Sequence, residues 1–213
     1  MSTTFVPQAA TSVRLFDGDL DEEIFDRALR GRLLAWDIET TGLDWRTERI
    51  GTVQLQLDEL SCIVRINGRL PHRLIALLED PSILKIAHHA MFDLRFMAFH
   101  WGATASHVAC TKIASKLLRP HAPHEEHSLS ALAHRCLGVE LDKGLRTSDW
   151  TGELTPAQLR YAAEDVRYLP QLYAELDKEI RDRGLLSLRE RCYAHLPTRV
   201  ELDLGGYPDV FEY

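Results

Sequence analysis

Apolar positions fall in short dense runs separated by polar turns. "LLAWDIE" (33–39), "IGTVQLQL" (50–57), "SCIVRI" (61–66), "SILKIAH" (82–88) and "HVACT" (107–111) have strand length. The link "DEL" between the second and third is hairpin-sized, which makes that pair antiparallel. Elsewhere the spacing is helical. "DLDEEIFDRALRG" (19–31) has an acidic first turn, apolar Leu20, Ile24, Phe25 and Leu29, and Gly31 as a stop. "PHRLIALLED" (71–80) carries Pro71 in its first turn, and "HAMFDLRFMAFH" (89–100), "KIASKLLRP" and "SLSALAHRCLG" (128–138) continue the series. The longest helical segment, 155–184, opens with Thr155 as N-cap, Pro156 at the first position and Gln158 completing a capping box. Pro170 kinks or divides it.

An antiparallel trio followed by strand–helix alternation predicts an α/β fold, a mixed five-stranded sheet flanked by helices. With no internal repeat or break in composition, residues 1–213 read as one domain. The segment "LDKGLRTSDWTGE" (141–153) is irregular. In the tail, 196–213, Gly205-Gly206 and Pro208 argue against a helix, yet Val210, Phe211 and Tyr213 are apolar. Such a tail is expected to dock on its own body or on a second copy of the chain, giving a homodimer.

Composition narrows this picture little. The chain is 45% hydrophobic and 27% charged, as in ordinary globular proteins, and no apolar run approaches the ~20 residues of a membrane span. The first residues lack the basic start and apolar block of a secretion signal, so the expected location is the cytoplasm. Cys62, Cys110, Cys136 and Cys192 form no C-x-x-C clip and read as reduced thiols. A net charge of −7 argues against a broad non-specific nucleic-acid surface, but leaves room for a basic groove around a metal-loaded acidic centre.

The candidate chemistry lies in carboxylates set where a core should be. Asp37 and Glu39, two apart on an apolar strand, project from the same face and repel. Asp93 sits in "MFDLRFMAF", apolar all round, where a lone carboxylate is costly, with His89 one turn earlier. Tyr161 and Asp165, at i and i+4, edge the inward stripe Leu159, Ala162, Val166 and Leu169. Singly, each has a structural explanation: an acidic loop flank, an ion pair with Arg95, a helix-surface pair. Jointly, four carboxylates from one strand and two helices suit hard divalent cations, which clamp a phosphodiester for in-line attack.

These residues resemble the DEDD exonucleases of the tyrosine-bearing branch. "DIETTGL", "HHAMFD" and "YAAED" are similar to that family's three motifs, in order. "DIETTGLDWRTERIGTVQLQ", "IAHHAMFDLRF", "LDKGLRTSDW" and "QLRYAAEDVRYL" resemble the blocks of ribonuclease D, over about residues 30–175. The resemblance implies a ribonuclease H-like fold and a metal-dependent 3′→5′ exoribonuclease that releases nucleoside 5′-monophosphates from RNA 3′ ends. It implies that Asp37, Glu39, Asp93 and Asp165 hold two divalent cations, Mg²⁺ or Mn²⁺, and that Tyr161 aims the attacking water. Thr40, Thr41 and Leu43 would touch the terminal nucleotide, Leu43 against its base, a contact tolerant of sequence. His89, where many relatives have Asn, would bind substrate; Lys143 and Arg146, which precede the third motif, are further candidates for holding it. Full-length ribonuclease D carries helical domains after the nuclease; the expectation here is a short form without them.

Other signals are weaker. "HAPHEEH", with His121, His124 and His127, reads as a solvated loop at the cleft mouth rather than a zinc site. Lys112, Lys116 and Arg119 lie along one helix and suit either a phosphate backbone or solvent. Trp150 anchors its loop in the core, and Leu132, Cys136 and Leu137 are core. The rival functions are the same chemistry on DNA, single-stranded DNA included, and a non-catalytic module that binds nucleic-acid ends.

Overall fold

A computed structural model describes residues 12–212 apart from 143 and 145–147. Six strands form one mixed sheet, in the order β1-β4-β3-β2-β5-β6. They are β1 (Ser12–Asp17), β2 (Leu33–Thr40), β3 (Ile50–Leu57), β4 (Leu60–Arg65), β5 (Leu84–Ala87) and β6 (Val108–Cys110). The β2–β3–β4 trio is antiparallel, as the short hairpin link requires. β5 and β6 extend it in parallel with β2. The expected five strands are therefore joined by a sixth. β1 pairs in parallel with β4 at the edge, where Val13 and Leu15 stay exposed, so its alternation carries no buried face to betray it.

The helices are α1 (Glu22–Gly31), α2 (His72–Glu79), α3 (Met91–Trp101), α4 (Thr111–Leu118), α5 (Leu129–Leu137), α6 (Pro156–Arg167), α7 (Leu169–Asp182), α8 (Leu186–Ala194) and α9 (Leu196–Leu204). α1, α2, α3 and α9 bury their apolar faces with Trp36, Ile38, Val53 and Leu55. Ala35, Ile86 and Ala109 face a second cluster containing Leu118, Leu132, Val166, Leu172 and Leu176. α1 ends one residue later than expected: Arg32, not Gly31, takes the left-handed cap at φ 55°. The capping box of Thr155 and Gln158 forms, and the helix divides at Tyr168, just ahead of Pro170.

The tail corrects a second expectation. Residues 196–204 are helical, with Pro197 in the first turn where its missing N–H costs nothing; Gly205 and Gly206 shape only the chain past the last turn. α9 packs on the body beside α3. Beyond it, Tyr207, Val210 and Phe211 remain exposed, Phe211 edge-on to His195. Among the described residues, no helix is long and apolar enough to cross a membrane.

Candidate active site

The site gathers at one end of β2. Asp37 and Glu39 share a face of the strand, opposite Gln54 and Thr52 of β3 in the antiparallel register. That face is covered by α6, which brings Asp165 across the sheet. Oxygen atoms of Asp37, Glu39 and Asp165 lie within 4.8 Å of one another. Two features fix α6 at this depth. Gln158 Nε2 donates to the Asp149 carbonyl at 2.8 Å, and the main chain of Trp150 lies directly on β3 at Gly51. A Cβ at Gly51 would come within 2.6 Å of the Trp150 carbonyl oxygen, so only glycine permits this approach. Trp150 is buried, as expected, and its ring lies 5.9 Å from that of Tyr161.

Asp93 enters from α3, in the first turn after β5. It is 2% exposed, and its Oδ1 has no hydrogen-bond partner. The main-chain N–H of Ile38 favours the ionised forms of both Asp37 and Asp93. Burial outweighs it. Desolvation pushes the Asp93 carboxyl well above the carboxylate range. Asp37 is raised by burial first, then by Asp93, Asp165 and Glu39. Tyr161, also buried, donates to Asp165; burial and the charges of Asp165, Glu39 and Asp37 hold its phenol firmly protonated.

Three half-buried carboxylates that repel one another, beside a buried one with an unpartnered oxygen, fit hard divalent cations by their chemistry. The structure thus brings together the five residues the motifs singled out, and adds the Ile38 N–H, Thr52 and Gln54, which only the strand register reveals.

The residues expected to bind substrate are less uniform. The register of β2 shifts between Glu39 and Thr40, so the chain bends out of the sheet just past the carboxylates. Thr40 Oγ1 donates to the Gly42 carbonyl at 2.6 Å; Thr41 Oγ1 donates to Glu48 and accepts from the Arg49 N–H. The loop is thereby closed on itself, with Leu43 85% exposed at its tip. Trp45 anchors its back, 5.1 Å from Phe99 between ring centres. His89 is exposed in the turn before α3, with φ at +61°, a left-handed value uncommon for a residue with a Cβ. Partial desolvation of its ring and the charges of Lys112, Arg95, Lys116 and His124 pull its imidazole down to about 4. Lys143 and Arg146 lie outside the described residues.

"HAPHEEH" is largely exposed, as expected of a solvated loop, but its end departs from that expectation. Its last four residues form a 3₁₀ turn, His124–His127, and His127 is buried with Nδ1 2.8 Å from Ser115 Oγ. Ser115 is twelve residues away, so nothing local signals the bond. Among the described residues, no histidine joins a metal-ligand cluster.

Residues 15–181 match the family described as 3′-5′ exonuclease. DNA polymerase I of Aquifex aeolicus is 35% identical over 200 residues, covering 83% of this chain and 32% of that protein. Ribonuclease D of Zymomonas mobilis is 37% identical over 109 residues, covering 51% of this chain and 27% of that protein. The chain thus spans about a third of the length of the curated relatives it matches. The structure of NrnC from Brucella melitensis is similar at 36% identity and a TM-score of 0.88, over 95% of this chain and 99% of that one. That protein has also been solved with bound Mg²⁺ and bound to pGG.

Proposed function

The chain belongs to the 3′-5′ exonuclease family, within its DEDD group, and from that premise we propose that it shortens RNA from the 3′ end with release of nucleoside 5′-monophosphates. The observation that carries the metal-dependent part of this reading is the carboxylate cluster: three oxygens within 4.8 Å beside a buried Asp93 whose Oδ1 lacks a partner. Asp37, Glu39, Asp93 and Asp165 would hold two divalent cations, Mg²⁺ or Mn²⁺. Such ions neutralise the cluster and stabilise the charge that develops as a phosphodiester is displaced.

The chain's own groups do the rest. Tyr161 keeps its proton and donates it to Asp165, so its oxygen is free to accept from an attacking water. It orients that water and does not serve as the base. Leu43, at the tip of the loop closed by Thr41 and Glu48, meets the terminal base, while Thr40 and Thr41 line the approach. His89 stays neutral near pH 7 and contacts substrate by hydrogen bonding rather than by charge. The ribonuclease D similarity supports RNA as polymer, and the pGG held by the Brucella protein makes that ligand a substrate to try. Similarity to a DNA polymerase I over 83% of the chain favours, as a second reading, the same chemistry on DNA.

The test uses 5′-labelled RNA and DNA of one sequence, and pGG, with Mg²⁺ or Mn²⁺, wild type beside Asp165→Ala. The expected result is a ladder shortening from the RNA 3′ end, absent in the variant. Equal ladders on both polymers would move the reading to a general exonuclease; no metal-dependent cleavage of any substrate would end it.

A further inference from the structure

Two histidines outside the carboxylate cluster are tied to one helix in the same way. Thr111 and Ser115 stand at i and i+4 on α4, and both are fully buried. His88 Nδ1 lies 2.9 Å from Thr111 Oγ1, and His127 Nδ1 lies 2.8 Å from Ser115 Oγ. Thr111 Oγ1 also lies 3.3 Å from the Ala87 carbonyl at the end of β5. His88 belongs to the turn before α3 and His127 to the 3₁₀ turn, so one row of hydroxyls on α4 grips the segments on either side of it. The grip is extended by contacts from the His88 ring to the His127 main chain and from the His127 ring to that of Ala122.

His89 is the residue this arrangement serves. Its left-handed φ of +61° is unfavourable for a side chain other than glycine and persists only where the surroundings impose it. His88, the preceding residue, is fixed through Thr111, and Ala90, the next one, is fully buried. We propose that His127 and Ser115 are positioning residues for the substrate-facing His89, acting through α4 and the Thr111–His88 contact. This rests on the reading that His89 contacts the nucleic acid near its 3′ end.

The test compares wild type with Ser115→Ala, His127→Ala and His88→Asn, the last keeping a polar group near the Nδ1 position that meets Thr111. On a short RNA, Ser115→Ala is expected to raise KM about fivefold, the equivalent of one lost hydrogen bond, with kcat within about twofold of wild type. His127→Ala moves KM the same way, His88→Asn less. Combined with Thr111→Val, Ser115→Ala adds less than its single effect, because both act along one path. An activity-independent measurement runs beside it. Ser115→Ala is expected to shift the backbone amide resonance of His89, a residue it does not touch, while leaving the amides of β1 and β4 at the far edge of the sheet unmoved. A lowered melting temperature with KM and the His89 resonance both unchanged would overturn the proposal. A shifted His89 resonance in a protein inactive on every polymer would uphold the positioning and refute the nuclease reading instead.

Discussion

Two polar clusters, one around α4 and one at the end of β2, differ in how their groups are satisfied. Around α4, each imidazole meets a hydroxyl, and burial pulls the His88 ring down to about 3. In the carboxylate cluster, Asp93 Oδ1 has no partner; burial pushes Asp37 and Asp93 upward, and repulsion by its neighbours raises Asp37 further. A set of groups that satisfy one another holds a fold together; a set that repels requires something from outside. The contrast separates structural polarity from a ligand site without reference to any motif.

The sharpest way to break the comparison is to remove a carboxylate. Asp37→Asn is expected to lower exonuclease activity by at least about 10³-fold, measured as RNA end-shortening, since it strips charge from where the reaction is stabilised. The fold should survive, by circular dichroism.

Asp93→Asn carries the comparison into stability. The folded Asp93 is raised above its unfolded value of ~3.9, so its ionised form is penalised at neutral and higher pH and relieved as pH falls. Without metal, Asp93→Asn should melt above wild type at pH 8, by roughly 2–4 °C for each kcal/mol relieved, and the gain should vanish towards pH 4. Added Mg²⁺ or Mn²⁺ should stabilise wild type, by about 2.7 kcal/mol at 100 times its Kd, and stabilise the variant less. Thermal melts across pH and metal concentration check both.

The histidines should show the opposite slope. His88 is depressed in the fold to about 3 while the unfolded ring titrates near ~6.5, so its contribution is complete above pH ~6.5 and is lost as pH falls from there towards 3. Melts of Asp93→Asn, free of one of the two raised carboxylates, should display this acid limb more cleanly than wild type. A smaller loss of turnover than that of Asp37→Asn belongs to Tyr161→Phe: kcat falls by roughly 10²-fold, the scale of one misplaced catalytic contact, with metal-induced stabilisation unchanged. A similar loss with metal binding also abolished would make Tyr161 part of the ion cage rather than an aiming group.

Much of this was legible in the sequence because it was written as anomalies. Asp37, Glu39 and Asp93 stood out as charges in apolar runs, and Thr155-Pro156 marked the start of α6 and with it the position of Tyr161 and Asp165. What escaped notice depends on partners distant in the chain. β1 is held by β4, forty-eight residues on, and shows no buried face of its own. His127 is buried by a hydroxyl on a helix its local sequence does not mention. α9 was hidden by Gly205 and Gly206, whose influence begins only where the helix stops. Gln54 and Thr52 became neighbours of the site only through the register of β2 on β3.

The register shift after Glu39 has a consequence for engineering. Upstream of it, β2 is locked by pairing with β5, with β3 or with both, and one inserted residue would turn Asp37 or Glu39 to the wrong face. Downstream, residues 41–49 close on themselves through Thr41, Glu48 and Arg49 before β3 begins. The bulge is therefore a seam between a segment that tolerates no change of length and one that can be exchanged as a cassette. Loops of other lengths grafted between Thr41 and Arg49 should alter which ends the protein accepts while leaving its carboxylates in place.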